Sequence, residues 1–127
     1  MLRPVNLPAI VKEVTEAFHR YEDALVNNRV AVLDELFWDS SSTVRFGVSE
    51  NLYGYESIQA FRRSRLPTGL QRTLRATVIT TFGEDFAVAN TEFTRSGTSK
   101  VGRQSQTWVR HSDGWKIVSA HVSLCDV

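Results

Sequence analysis

Apolar side chains recur every three or four residues along the first half of the chain, which is the spacing of amphipathic helices. One such run begins at Asn6-Leu7-Pro8, where proline suits the first turn of a helix, and it is interrupted at Asn27-Asn28. A short second run covers residues 30–37, and a third covers residues 55–65 after Gly54. We therefore predict three helices in this part of the chain.

An alternating pattern marks the predicted strands. Residues 43–48 place Val44 and Phe46 on one face and Arg45 on the other, because a strand points successive side chains to opposite sides. In the second half of the chain, β-branched residues alternate with polar ones between turns rich in glycine. This pattern predicts four long strands in a meander, at residues 71–82, 86–95, 103–111 and 114–123.

Helices that precede a run of strands are typical of the α+β class. A strongly twisted antiparallel sheet with helices on one face curls into a half-open cone, whose mouth and interior form a natural ligand site. We predict a cone-shaped curved antiparallel sheet packed on three N-terminal helices, as a single domain over residues 1–127.

Composition narrows the functional classes. Hydrophobic residues make up 42% and charged residues 23% of the chain, as in a soluble globular domain. The net charge of +1 implies no general attraction to nucleic acid or membranes, and no apolar run approaches the ~18 residues of a membrane span. The single cysteine, Cys125, cannot form an internal disulfide, so a cytoplasmic location is the default expectation. The histidines His19, His111 and His121 lack the spacing of metal ligands, so we expect neither metal nor other cofactor.

Twelve of the 15 basic residues are arginines. Arginine binds carboxylates and phosphates through two parallel bonds, but a genome rich in G and C also favours arginine codons, so only an arginine inside a pocket is informative. Five arginines cluster in sequence, and we expect most of them to form a solvated basic rim: Arg62, Arg63, Arg65, Arg72 and Arg75. Arg72, at the start of a long strand, is the best candidate of this cluster for a carboxylate contact.

Two positions on the first helix and first strand have both a structural and a functional interpretation. Tyr21 lies on the apolar stripe of the helix, either as a core residue or as a phenol at the bottom of the cone that donates a proton or hydrogen bond. Arg45 is either an exposed strand residue or an inward one. An inward arginine requires an anion, and no acidic residue lies beside Arg45 on the same strand face.

Two positions on the last strands are equally open. Gln104 shares a strand face with Gln106 and Trp108, where it either hydrogen-bonds a urea or pairs across the sheet. His121 is expected to share a face with Ile117, either as a satisfied core residue or as a pocket residue that binds substrate or holds Tyr21.

Three stretches of the chain resemble a known family: RYEDALVNNRVAVLDELFWDSSSTVRFGVSENLYGYESIQAFRRSR, VGRQSQTWVR and GWKIVSAHVS. They are similar to the AtzH/HpxZ family of small proteins associated with cyanuric-acid and oxalurate breakdown. That family belongs to the SnoaL-like, ketosteroid-isomerase-like superfamily with the nuclear transport factor 2-like cone fold. The resemblance extends over nearly the whole chain, from about residue 11 to residue 123.

The resemblance implies a function. It suggests a small, flat, anionic ureido substrate and, in the cyanuric-acid branch, cofactor-free decarboxylation of 1,3-dicarboxyurea to allophanate. Tyr21 and Arg45 match the family positions that would form the catalytic pair, with Arg72, Gln104 and His121 as candidate substrate-binding residues. The alternatives are a non-catalytic accessory of an amidase in the same pathway, or a simple binding module for a ureido acid.

The outer face of the predicted sheet carries more apolar and threonine side chains than three helices can cover; the examples are Val78, Phe93, Val109 and Val118. Exposed apolar patches often mark interfaces. We therefore expect a homodimer through the sheet, or a dimer of dimers.

Overall fold

A computed structural model describes residues 3–126 as three helices and six strands. In chain order the elements are α1 (Pro8–Val26), α2 (Val30–Leu36), β1 (Val44–Phe46), β2 (Asn51–Tyr53), α3 (Tyr55–Ser64), β3 (Thr73–Phe82), β4 (Phe86–Thr94), β5 (Val101–His111) and β6 (Gly114–Cys125). The predicted helices and four long strands are confirmed, with end points that differ by a few residues. The α+β class is also confirmed.

Helix α1 follows directly from its sequence. Pro8 occupies its first turn, where the missing N–H is not needed, and Asn28 takes a positive φ of 52° just after its end. One face of the helix is buried, and it consists of Ile10, Val14, Phe18, Tyr21, Ala24 and Leu25. This stripe packs α1 against the sheet and places Tyr21 towards the interior.

The sheet has the strand order β2-β1-β6-β5-β4-β3 and remains open at both edges. All neighbouring pairs are antiparallel except β1 and β6, which are parallel. The predicted antiparallel sheet is therefore corrected to a mixed one, because the chain crosses over between these two strands. Strand β2 was not predicted, since three residues are too few to show an alternating pattern.

A bulge in β6 changes which residues face inward. Thr107 pairs with Ser119 but Trp108 pairs with Ile117, so Val118 is an extra residue between them. Ile117 and Ala120 are both buried although they are three positions apart. The expectation that His121 shares a face with Ile117 is therefore wrong. His121 lies exposed on the outer face.

The core lies between the helices and the inner face of the sheet. Trp108, Phe18 and Leu33 are completely buried within one continuous hydrophobic cluster. Phe93, expected on the outer face, is only 2% exposed and belongs to the interior. Its ring packs over Gly102, where a Cβ atom would lie 2.0 Å from Phe93 Cζ, so the glycine makes room for the aromatic ring.

None of the helices within residues 3–126 has the length and apolar character that crossing a membrane requires.

The homodimer expected from the sequence stays a prediction. On the outer face Val78 is 57% exposed, and Tyr53 is 64% exposed beside Phe46. We expect light scattering at micromolar concentration to give the mass of a dimer, because association would bury these side chains. A monomer under those conditions would contradict this expectation, as would an unchanged mass in Val78→Lys if the protein is a dimer.

Candidate active site

A small cavity lies between the helices and the inner face of the sheet, with a volume of about 170 Å³. Its wall is formed by α1, β1, the β1–β2 turn, the end of α3, the segment before β3, and β4 to β6. The apolar part of the wall comprises Leu25, Val48, Phe61, Leu70, Phe93 and Val122. Pockets for drug-sized ligands occupy ~300–1,000 Å³, so this cavity suits a smaller molecule.

Four of the five site residues predicted from sequence line this cavity: Tyr21, Arg45, Arg72 and Gln104. The fifth, His121, does not. Its imidazole lies on the outer face, with its ring centroid 5.8 Å from that of Phe46 in an edge-on arrangement. The expectation that His121 is a pocket residue is therefore wrong, and the β6 bulge is the reason.

Arg45 points inward from β1, and its side chain is 14% exposed. Its Nη1 donates a hydrogen bond to Glu50 Oε1 at 3.0 Å. Its guanidinium carbon lies 5.5 Å from the centroid of the Phe61 ring. No acidic residue lies beside Arg45 on the same strand face. The structure supplies one from the β1–β2 turn instead, because the hairpin folds Glu50 back over β1.

Gly47 makes the Arg45–Glu50 pair sterically possible. A Cβ atom at this position would lie 1.8 Å from Glu50 Oε1. The second carboxylate oxygen, Oε2, accepts hydrogen bonds from Ser49 N and Ser49 Oγ. Burial alone would raise the pKa of Glu50, but the hydrogen bonds from Arg45 and Ser49 outweigh it and hold that pKa below its ordinary value.

Arg72 is more buried than Arg45, and three of its five N–H donors are already used. Its side chain is 2% exposed, with Nε and Nη2 donating to the two carboxylate oxygens of Glu22 at 2.9 and 2.6 Å. Nη2 also donates to Gln104 Oε1 at 3.0 Å. Only Nη1 is left for a ligand, so the interpretation of Arg72 as a direct carboxylate contact stays a prediction. Arg72 also fixes the position of Gln104.

The bond from Arg72 also determines the orientation of the Gln104 amide. Arginine has no acceptor, so the amide oxygen must face it and the amide nitrogen must face away. Gln104 is 3% exposed, and its Nε2 is buried without a hydrogen-bond partner in the described residues. Gln104 can therefore donate hydrogen bonds to a carbonyl oxygen in the cavity.

Two further arginines line the cavity, and the sequence did not single them out. Arg65, placed in the solvated rim by its neighbours in sequence, has buried Nε and Nη2 atoms without partners in the described part of the chain. The Nε of Arg95 is likewise buried without a hydrogen-bond partner in the described residues. One signal could have located Arg95: it continues the alternation of Ala89 and Phe93, which face inward from β4.

The model of the AtzH-like family matches residues 3–127. The chain belongs to the AtzH-like family. This confirms the family resemblance found in the sequence.

Solved structures show the same fold in relatives of this AtzH-like protein. A protein of unknown function from Pectobacterium atrosepticum is 58% identical, with 99% of this chain and 100% of that chain covered and a TM-score of 0.97. A cystatin-like fold protein from Burkholderia xenovorans is 50% identical over 98% of each chain, with a TM-score of 0.95. A protein of the NTF2-like family from Streptomyces avermitilis, proposed to be a dehydratase, is 17% identical, with 94% and 98% covered and a TM-score of 0.79. None of the curated proteins compared with the chain matches it.

The charge of the cavity in this AtzH-like protein is unbalanced. Its wall contains Arg45, Arg65, Arg72 and Arg95, whereas carboxylates within residues 3–126 pair only with Arg45 and Arg72. Burial lowers the pKa of Arg65 and also that of Arg95, and nearby arginine charges act in the same direction. Arg65 and Arg95 are partly buried, and a guanidinium removed from water without a counter-ion is unfavourable, so the cavity is suited to bind an anion.

The described residues contain no group of three or more histidine, cysteine, aspartate or glutamate side chains that could hold a metal ion. The cavity instead offers a phenol, guanidinium groups and an amide. These groups donate hydrogen bonds and stabilise negative charge.

We expect Glu50→Gln to lower the free energy of unfolding at pH 7 by about 1–2 kcal/mol, since a charge-assisted hydrogen bond to a half-buried arginine is lost. The pKa of Glu50 is lower in the folded protein than its ordinary value of 4.5. The stabilisation is therefore present above that value and is lost as the pH falls through the lower folded pKa. Thermal melts of both proteins should thus converge as the pH falls from about 5 to about 3.

Glu92→Gln is the matched control, because it removes the carboxylate of the exposed Arg75–Glu92 pair. We expect this control to change stability by less than about 0.5 kcal/mol at pH 7. Equal losses in Glu50→Gln and Glu92→Gln would show that the cavity pair has no special stability.

Proposed function

We propose that this protein is a decarboxylase of a small carboxylated urea, converting 1,3-dicarboxyurea to allophanate in cyanuric-acid breakdown. One observation carries the proposal: Tyr21, Arg45 and the free amide donor of Gln104 face a single small cavity with excess positive charge. Membership of the AtzH-like family supports the substrate class.

The cavity groups fit the parts of such a substrate. A guanidinium group has five N–H donors, and Arg45 uses one of them for Glu50, so it can still bind a substrate carboxylate. The urea carbonyl oxygen is an acceptor that suits Gln104 Nε2, which lacks a protein partner. Phe61 and Phe93 contribute apolar surface to the cavity wall beside these polar groups.

The proposed reaction breaks one C–N bond. The carboxyl group on nitrogen leaves as carbon dioxide, and the electron pair of the broken bond stays on the nitrogen, where the adjacent carbonyl delocalises it. One proton then completes the new N–H bond, so the dianion becomes the monoanion allophanate. The carbonyl of the urea itself accepts the electrons, and no separate electron sink is needed.

Tyr21 is proposed to supply the proton or to stabilise the developing negative charge. It is the phenol in the cavity wall, and its residue is 4% exposed, so the reacting nitrogen would be shielded from bulk water. Arg45 is proposed to hold the carboxylate that leaves and to fix its orientation. Once the product has left, solvent restores the proton of Tyr21.

We expect the isolated protein to release carbon dioxide and form allophanate from enzymatically generated 1,3-dicarboxyurea. Tyr21→Phe and Arg45→Lys should each lower turnover by ~10²-fold or more, because one acid–base or oxyanion contact contributes on that scale. The double variant should be less than additive, since residues that act as a unit lose most of their effect together. We would measure kcat and the melting temperature of each single variant and of the double variant.

Tyr53→Phe and Arg75→Lys are the matched controls. Tyr53 is 64% exposed, and Arg75 forms an exposed ion pair outside the cavity. Both controls should turn over like the wild type. Near-wild-type turnover in Tyr21→Phe would remove the phenol from the mechanism. A folded protein with no turnover that co-purifies with an amidase would favour the accessory role instead.

We also expect activity to survive exhaustive chelation, because the proposed chemistry uses only side chains and the substrate's own carbonyl. Turnover is measured before and after treatment with a chelator and dialysis. Loss of activity that one specific divalent ion restores would refute the cofactor-free mechanism.

A further inference from the structure

Two guanidinium groups in the cavity have no function in the contacts described so far. Arg65 Nε and Nη2 and Arg95 Nε are buried without any hydrogen-bond partner in residues 3–126. Each buried donor without a partner destabilises a protein, and native structures contain few of them. Three such atoms in one cavity wall fit a ligand that accepts their hydrogen bonds.

The surroundings of these arginines give the sign and number of the missing charges. Arg45 already has Glu50 and Arg72 already has Glu22, whereas Arg65 and Arg95 have no paired carboxylate in the described residues. Arg65 lies close enough to Arg45, Arg95 and Tyr21 to interact with them electrostatically. Positive charge therefore surrounds the cavity from the β1 side and from the β4 side.

The contact of Arg95 with an aromatic ring also indicates that its position is fixed. Its guanidinium carbon lies 5.0 Å from the centroid of the Phe93 ring, and that of Arg72 lies 4.5 Å from the same centroid. Phe93 in turn is held over Gly102. The ring thus contributes a cation–π contact to each arginine and limits the positions that Arg95 can occupy.

We propose that Arg65 and Arg95 form a second carboxylate-binding point, separate from Arg45, which makes the cavity selective for small dicarboxylate dianions over monoanions. The identity of the natural dianion rests on the proposed function, but the selectivity does not. One carboxylate is held by Arg45, the second by Arg65 and Arg95, and the connecting carbonyl by Gln104 Nε2.

This arrangement accounts for product release. A dicarboxylated urea makes contacts at both ends of the cavity. Once one carboxyl group has left as carbon dioxide, the monoanion satisfies only one of the two points. The product is then bound more weakly than the substrate, because a charge-assisted hydrogen-bonded contact is lost while the rest of the molecule is unchanged.

The test uses two stable probes, glutarate and glutaramate, which differ only in one carboxylate that is replaced by a neutral amide. The three atoms between the carboxyl groups of glutarate match the spacing in 1,3-dicarboxyurea. Calorimetry on the wild type should show glutarate binding about tenfold or more tightly than glutaramate. In Arg65→Gln and in Arg95→Gln this preference should fall to about twofold or less.

Arg63→Gln and Arg103→Gln are the controls, since both arginines are exposed and lie outside the cavity wall. They should keep the wild-type preference. The melting temperatures of Arg65→Gln and Arg95→Gln without ligand should hold or rise, because a buried charge without a partner is removed. Melting temperatures thereby separate loss of binding from loss of folding.

Three results would overturn the proposal: equal binding of both probes to the wild type, no binding of either probe, or an unchanged preference in both folded variants. Turnover of 1,3-dicarboxyurea is measured separately. A protein with the dianion preference and no carbon dioxide release refutes the proposed reaction and retains the binding site. A protein that turns over 1,3-dicarboxyurea without a dianion preference supports the proposed reaction and refutes the second binding point.

Discussion

The buried ion pair between Arg72 and Glu22 is the interaction on which the candidate site depends. It connects α1 to the start of β3, and it also fixes the Gln104 amide on β5. Removing one partner of such a pair leaves an uncompensated buried charge, at a cost of ~3–5 kcal/mol. Because Glu22 follows Tyr21 directly in α1, the same pair holds this phenol at a defined height along the sheet. The position of the proposed proton donor thus depends on an ion pair at the neighbouring helix residue.

The opposite wall of the cavity depends on the short β1–β2 hairpin. Val44 pairs with Tyr53 and Phe46 pairs with Asn51, so Arg45 between them must point to the inner face. The turn then returns Glu50 to the guanidinium of Arg45, and the lack of a side chain at Gly47 leaves space for this contact. A strand of only three residues can therefore present a charged side chain with little freedom, because its neighbours, its turn and its counter-ion all restrict it.

The sequence predicted those features that depend on local periodicity. Tyr21 follows from the helical stripe, and Gln104 follows from the alternation of β5, because both patterns continue without interruption. His121 was misplaced because the Val118 bulge reverses the alternation of β6, and a bulge leaves no clear signal in a single sequence. Glu50 was missed as the partner of Arg45, since the pairing depends on a turn and not on a strand face. Arg65 and Arg95 were not recognised as site residues, because only the folded chain shows which arginines lack a counter-ion.

Two of the four cavity arginines are paired with a carboxylate and two are not, and this difference bears on function. The fold neutralises Arg72 and Arg45 with Glu22 and Glu50, so acidic side chains can reach this region. Arg65 and Arg95 nevertheless remain without such partners, and burial lowers the pKa of each. A chain under selection for stability alone would replace these two with apolar residues, since well-packed hydrophobic side chains commonly match or exceed buried charges in stability. Destabilising groups that persist in a cavity are typical of functional sites, where a ligand supplies the missing interaction. The unpaired charges therefore fit a binding site for a small anion.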